Sequence, residues 1–353
     1  MAETLAGIRK AATQQEAGLL VLMQAAASLI VPPFTPKLRA RIRDALGPVH
    51  QGYSQLNTLW YRHLHLPETR NLPQYGTDWD YFAGLRRRLN LAMEFQALLQ
   101  RVTARQLAVM PDSVPGASPA GRLIYAYESS FYRLHDYLSP PRPNPEDYVG
   151  KHNDIPLPFT HFAQLMQLAR RTCLAVGRKA PLSFIDVGCG VGLKVLQAAE
   201  VFEISQGLEY DATRVVVADH LIHHMRRSLD KVFQADALDY EGYGDFDVIY
   251  TYKPFSSMDL LIQMEQRMIE QAKPGTVFVM PYFEFEDRYE AFGLGRVSRL
   301  VYVKGIADCD MKPLLRRIAN IGFIIPDDPN FRNLDEGFVA PLANALRHWG
   351  HLA

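Results

Sequence analysis

Asp186 is followed by Gly188, Gly190 and Gly192, an acid and three glycines spaced two apart, directly after the apolar run Phe184-Ile185 and ahead of a helical pattern from Leu193. A glycine turn between strand and helix lets the backbone approach a ligand closely, and the helix start behind it offers N–H groups without intrahelical partners. That is chemistry for a nucleotide-like molecule. The dinucleotide pattern needs its third glycine where Leu193 stands, and the phosphate-loop pattern needs Ser or Thr after lysine, where Val195 follows Lys194. NAD, FAD and hydrolysis of ATP or GTP are therefore disfavoured.

Further acids end short β patterns downstream. Glu209, in Gly207-Leu208-Glu209-Tyr210-Asp211, lies one helix and one strand past Gly192, close to the interval of about 20 residues found in such units. A carboxylate is an acceptor pair matched to a vicinal diol. Lys231 to Ala235 reads as a strand leading to Asp236-Ala237. Phe246 to Thr251 leads to Tyr252-Lys253-Pro254-Phe255, and Thr276 to Met280 follows the turn Lys273-Pro274-Gly275.

In this order the elements resemble the class I S-adenosylmethionine-dependent methyltransferases, over about residues 145 to 305. The resemblance implies an α/β fold: a seven-stranded, mostly parallel sheet with helices on both faces, here preceded by a mainly helical N-terminal region. It implies S-adenosylmethionine as cofactor, held by Asp186, Gly188, Cys189, Gly190 and Gly192 at the methionine end, by Glu209 with Tyr210 at the ribose, and by Asp236 with Ala237 at the adenine. It places Tyr252 and Lys253 in the catalytic loop. Family members that methylate base or glutamine nitrogens carry Asn or Asp, Pro, Pro, aromatic there; this chain keeps only Pro254 and Phe255, so the acceptor that orients an exocyclic amine is missing. Tyr252 is open between touching substrate and packing beside the cofactor. Phe184 to Glu200 is also similar to the non-SET lysine methyltransferases, but that likeness ends with the first helix. Many members close over the methionine end with a segment before the first strand; Tyr148 and Thr160 are the candidates here, Thr160 being equally readable as a helix N-cap.

The elements that position these residues suggest four segments: a helical accessory region over 1–138, a proline-rich linker over 139–154, the cofactor domain over 155–305 and a helical extension over 306–353. Helices are expected from Gly18 to Val31, ended by Pro32-Pro33, from Arg86 to Met110 with Leu85, Leu89, Met93, Leu99 and Val102 as an apolar stripe, and from Arg122 to Leu138. Others run from His161 to Ala175, from Asp310 through Arg317 and from Val339 to His348. Pro111 to Gly116 ends the helix from Arg86 to Met110, and Val297 to Val303 reads as one closing strand.

With 353 residues, 48% hydrophobic content and a net charge of +0, the chain has core enough for more than one domain and no global pull toward nucleic acid or membrane. The apolar stretch before Pro32 is too short to span a bilayer, and Glu3 and Glu16 argue against a secretory leader. Cys173, Cys189 and Cys309 form no ligand or disulfide pattern, which fits a cytoplasmic setting. His220, His223 and His224 share a helix face, but nothing nearby completes a metal site. Lys37, Arg39, Arg41, Arg43, Arg62, Arg70 and Arg86 to Arg88 interleave with Trp60, Tyr61, Trp79, Tyr81 and Phe82. They form either a helical cap with solvated arginines or a surface gripping RNA or a protein substrate. Direct methyl transfer to an oxygen or nitrogen of an unidentified acceptor is the function expected. A macromolecular acceptor recruited by the N-terminal region, or a non-catalytic cofactor-binding partner protein, are the alternatives.

Overall fold

The computed structural model describes residues 4–71, 76–105, 118–140, 157–224, 230–326 and 337–352, and of Arg70, Asn71 and Asp308 the backbone alone. Tyr148, residues 141–154 of the proline-rich segment, the Pro111 to Gly116 turn and the Arg70 side chain thus lie outside the described residues. The chain divides into two compact units, Met1–Arg105 with Asp327–Leu352, and Gln106–Pro326.

In the larger unit, strands β1 (Ser183–Val187), β2 (Ile204–Glu209), β3 (Lys231–Gln234), β4 (Val248–Thr251), β5 (Val277–Val279), β6 (Leu294–Ser298) and β7 (Val301–Lys304) form one sheet. Their order is β3-β2-β1-β4-β5-β7-β6. The first five are parallel, and β7 pairs antiparallel with both β5 and β6. Successive side chains of a strand point to opposite faces, and the two cores obey this. Phe184 and Tyr250 join the core under helices α5 (Phe159–Ala175) and α10 (Met311–Ile321), with Leu165, Leu314 and Ile318. Ile185 and Ile249 join the opposite one under α8 (Met258–Gln271), with Leu261, Met264 and Met268. Every residue of β1 is buried, as a central parallel strand covered on both faces requires. α6 (Leu193–Ala198) and α7 (Ala212–His224) complete the crossovers, and the short α9 (Phe283–Glu286) follows β5.

The single closing strand expected over Val297 to Val303 is instead a hairpin. Ser298 pairs with Val301 across Arg299 and Leu300, and the register slips between Arg296 and Ser298. No Gly or Pro marks this turn, so branched and aromatic neighbours mask it in the sequence.

The smaller unit packs α1 (Leu5–Ala27), α2 (Pro36–Leu64), α3 (Thr77–Thr103) and α11 (Ala340–His348). α1 starts well before Gly18 because Thr4 caps it, accepting the Gly7 N–H at 3.2 Å, and α2 is capped likewise by Thr35 ahead of Pro36. The buried stripe of α3 is Leu85, Leu89, Ala92, Phe95, Leu99 and Val102, so Met93, expected within it, is 58% exposed: it lies about 100° round the helix from Ala92.

The units do not follow the expected segment boundaries. α4 (Pro119–Leu138) belongs to the sheet unit, where it packs on α5. The extension over 306–353 is split: α10 lies on the sheet, whereas α11 packs on α1 through Leu342, Ala343 and Leu346. These are contacts between helices far apart in the chain, which local composition does not encode.

Candidate cofactor site

The turn after β1 is built by left-handed backbone at Gly188 (φ 82), Gly190 (φ 56) and Gly192 (φ 79). Two of these are also crowded, Gly192 more than Gly188. A Cβ on Gly188 would stand 3.1 Å from Pro254 Cβ, and one on Gly192 would stand 2.9 Å from Ala218 Cβ of α7. The Gly188 and Cys189 N–H groups donate to the Leu208 carbonyl at 2.8 and 3.0 Å, tying the turn to the end of β2. The Cys189 side chain lies against Gly207, where a Cβ would meet its Sγ at 2.6 Å. Cys189 therefore enters the turn through its backbone, its thiol packed beneath. Gly207 is the partner that sequence inspection passed over; its clue was a glycine inside a strand, which marks a close approach.

Glu209 ends β2, as expected, and the residue is 9% exposed. Its Oε2 accepts the Gly190 N–H at 2.8 Å and its Oε1 the Asp211 N–H at 2.9 Å. One acid thus joins the glycine turn to the start of α7. Asp186 is buried in β1, in register with Gly207 and Tyr250 of the flanking strands. Tyr210, next to Glu209, is 42% exposed. Asp236 follows β3, with Oδ1 accepting the Leu238 N–H at 2.9 Å. Ala237 is buried, and its carbonyl accepts the Tyr243 hydroxyl at 2.9 Å. Asp186, the glycines, Glu209 and Asp236 are thus gathered at the C-terminal ends of β1, β2 and β3, where open parallel sheets bind ligands.

The loop after β4 shares this edge. Tyr252 is half-buried and packs against both cores. Lys253 has φ 48, the only positive value at a non-glycine among the described residues. Left-handed backbone costs such a residue roughly 1–2 kcal/mol. Its ammonium is held by the Glu284 carboxylate of α9, and that hydrogen bond keeps the Glu284 carboxyl below its ordinary value. α9 is anchored in turn: Arg288 donates to buried Glu265 at 2.9 and 2.6 Å, and the Tyr282 hydroxyl donates to Glu265 at 2.9 Å. Of the neighbouring acids, Glu284 bonds Lys253, and Glu286 bonds Arg296 and Arg299.

Thr160 is not the N-cap of α5; that place falls to Pro158. The cap comes from α4. Glu128 accepts the Phe159 N–H at 2.7 Å with Oε2, and the Thr160 N–H and hydroxyl at 2.7 and 2.6 Å with Oε1. Glu128 lies 31 residues before Phe159, and nothing in the local sequence announces it. Lys194 of α6 stands 3.5 Å from the centre of the Phe159 ring, a cation–π contact. Burial, and then Lys194, lower the His161 imidazole. Tyr132 of α4 has its phenol raised by burial, then by Glu128 and Tyr252.

Some of the basic and aromatic residues of the N-terminal unit are engaged within it, while Tyr61 and Trp79 are exposed. Arg86 covers the Trp60 ring at 4.5 Å, Trp60 Nε1 donates to the Phe82 carbonyl at 3.2 Å, and Arg88 pairs with Glu16 at 2.8 Å. Among the described residues there is no group of His, Cys, Asp or Glu arranged for a metal, and no helix long and apolar enough to cross a membrane.

No family profile matches the chain, and no curated protein matches it. Solved structures align with part of it. An RNA methyltransferase from Salinibacter ruber, in complex with S-adenosyl-L-homocysteine, is 22% identical with a TM-score of 0.29, over 36% of this chain and 76% of that one. PKMT2 from Rickettsia typhi, in complex with AdoHcy, is 20% identical with a TM-score of 0.30, over 34% of this chain and only 25% of that one. CalS10, an amino pentose methyltransferase from Micromonospora echinaspora, is 19% identical with a TM-score of 0.28, over 36% of this chain and 58% of that one. Likenesses this partial say nothing about an acceptor.

Proposed function

We propose that this chain is a class I methyltransferase that uses S-adenosylmethionine and transfers its methyl group directly to an oxygen or nitrogen nucleophile. The observation that carries this reading is the Glu209 carboxylate at the end of β2, bonded to Gly190 inside a turn of three left-handed glycines, on a sheet whose order reverses at β1. The residues suit the cofactor. The turn has no room for a Cβ at Gly192 and little at Gly188, and a carboxylate has about four lone-pair sites, enough for backbone N–H groups and a vicinal diol together.

Gly188, Cys189, Gly190 and Gly192 would hold the methionine end through backbone groups, with Asp186 beneath them and Thr160 at the carboxylate. Glu209 and Tyr210 would hold the ribose, and Asp236 with Ala237 the adenine. When bound, the cofactor would supply an activated methyl carbon for direct displacement, the acceptor's lone pair making the new bond to carbon and the C–S pair staying on sulfur as a thioether. The protein's own task is then to align the partners and exclude water. Lys253, committed to Glu284, fixes the loop that carries Tyr252. We assign Tyr252 to the acceptor side, beside Tyr132, and Lys253 to positioning. Any proton the acceptor must lose passes to a base or to water. The free cysteines, two of them buried, support a reducing cytoplasmic setting.

Calorimetric titration with S-adenosylmethionine tests the site. Asp186→Ala and Glu209→Ala should each abolish binding, and retained affinity in both would refute it. Transfer of tritium from labelled cofactor into fractionated cell extract tests the activity. A protein that binds the cofactor yet labels no fraction would instead be a regulatory binder.

A further inference from the structure

The Glu128 contact is unusual for a helix cap, because the capping carboxylate comes from a residue of another helix that is itself only 9% exposed. It makes three short hydrogen bonds, to the Phe159 N–H, the Thr160 N–H and the Thr160 hydroxyl. Two further observations tie this place to the candidate site. Phe159 shares an apolar cluster with Val191 of the glycine turn and Leu193 of α6. Lys194, the next residue of α6, brings its ammonium over the Phe159 ring. A carboxylate here therefore meets N–H donors, a hydroxyl and a nearby cation, at the edge of the turn proposed for the donor's methionine end.

We infer that Glu128 is an internal competitor for the α-carboxylate of the methyl donor. This rests on the proposed cofactor. Each N–H and the Thr160 hydroxyl has a single proton to give, and two carboxylates at one place repel. Glu128 and a ligand carboxylate exclude each other. With the donor absent, Glu128 fills the seat and holds α4 down, helped by Phe131 at 4.0 Å from the Phe159 ring. The donor's entry expels Glu128 and loosens the helix that also carries Tyr132. The contact is thus an autoinhibitory latch, lowering apparent affinity by the fraction of molecules in which the seat is already taken.

The test uses the full chain and two ligands. S-adenosylhomocysteine carries the amino-acid carboxylate; 5′-methylthioadenosine has the same adenosine and a thioether but lacks it. Calorimetry on the unaltered protein, Glu128→Gln and Glu128→Ala should show S-adenosylhomocysteine binding about tenfold tighter in both variants, with 5′-methylthioadenosine unchanged. Glu128→Gln keeps the side chain's length and guards against misfolding, which a circular dichroism melt would register. Unchanged or weaker S-adenosylhomocysteine binding in Glu128→Gln overturns the inference. So does an equal gain for both ligands, which would mean a loosened α4 and no competition between carboxylates. If none of the three proteins binds either ligand, the cofactor reading itself fails, and this one with it.

Discussion

Glu209 makes its two backbone bonds at 2.8 and 2.9 Å, so it shapes the turn in addition to the ribose contact proposed for it. Glu209→Gln keeps the size but turns one acceptor into a donor against an N–H. Hydrogen bonds to charged groups contribute about 1.5–3 kcal/mol, so the sheet unit should melt at a lower temperature and cofactor affinity should fall at least about tenfold, read by calorimetry. Gly192→Ala adds a Cβ 2.9 Å from Ala218 Cβ at a φ of 79, and left-handed strain alone costs about 1–2 kcal/mol. Urea unfolding of the sheet unit should show a loss of about 1–3 kcal/mol, partly recovered in the double variant with Ala218→Gly. Recovery separates crowding, which the second change relieves, from backbone strain, which it cannot.

Among the elements, α2 and α3 carry a pH response. His63 of α2 is 6% exposed and stacks on Phe82 of α3 with ring centres 4.0 Å apart, and burial lowers its imidazole below the ordinary 6.5. The folded unit favours neutral His63, so below pH 6.5 the unfolded chain takes up more protons. Its stabilising contribution is complete above that value and is lost as the pH falls toward the lowered one. Chemical unfolding of the helical unit between pH 7.5 and 5 should show this fall, and His63→Phe should flatten it. Most of the sheet was legible in the sequence: β1 to β5, the glycine turn and the acids after β2 and β3 are local patterns, because a strand, a turn and an acid at its end are consecutive. β6 and β7 merged because Arg299 and Leu300 lack turn chemistry. Glu128 and Gly207 escaped as site-shaping residues because their meaning lies across space, on Thr160 and Cys189.

For the whole molecule, the smaller unit is assembled from both ends of the chain. Deleting residues 337–353 would remove Leu342 and Leu346, both buried, each worth about 2–5 kcal/mol by analogy with large-to-small core changes. The helical unit should then melt at lower temperature or not fold, while S-adenosylhomocysteine binding by the sheet unit survives; calorimetric scanning with and without ligand would resolve the two. The bulge in β6 has a consequence beyond closing the sheet. The edge strands are β3 and β6. β3 has four residues, with Lys231 and Gln234 exposed. β6 is distorted between Arg296 and Ser298, and Arg296 and Arg299 both reach to Glu286. A short edge and a bulged, charged one give an incoming strand no flat row of N–H and C=O groups to copy, a geometry that disfavours an eighth strand and edge-to-edge aggregation.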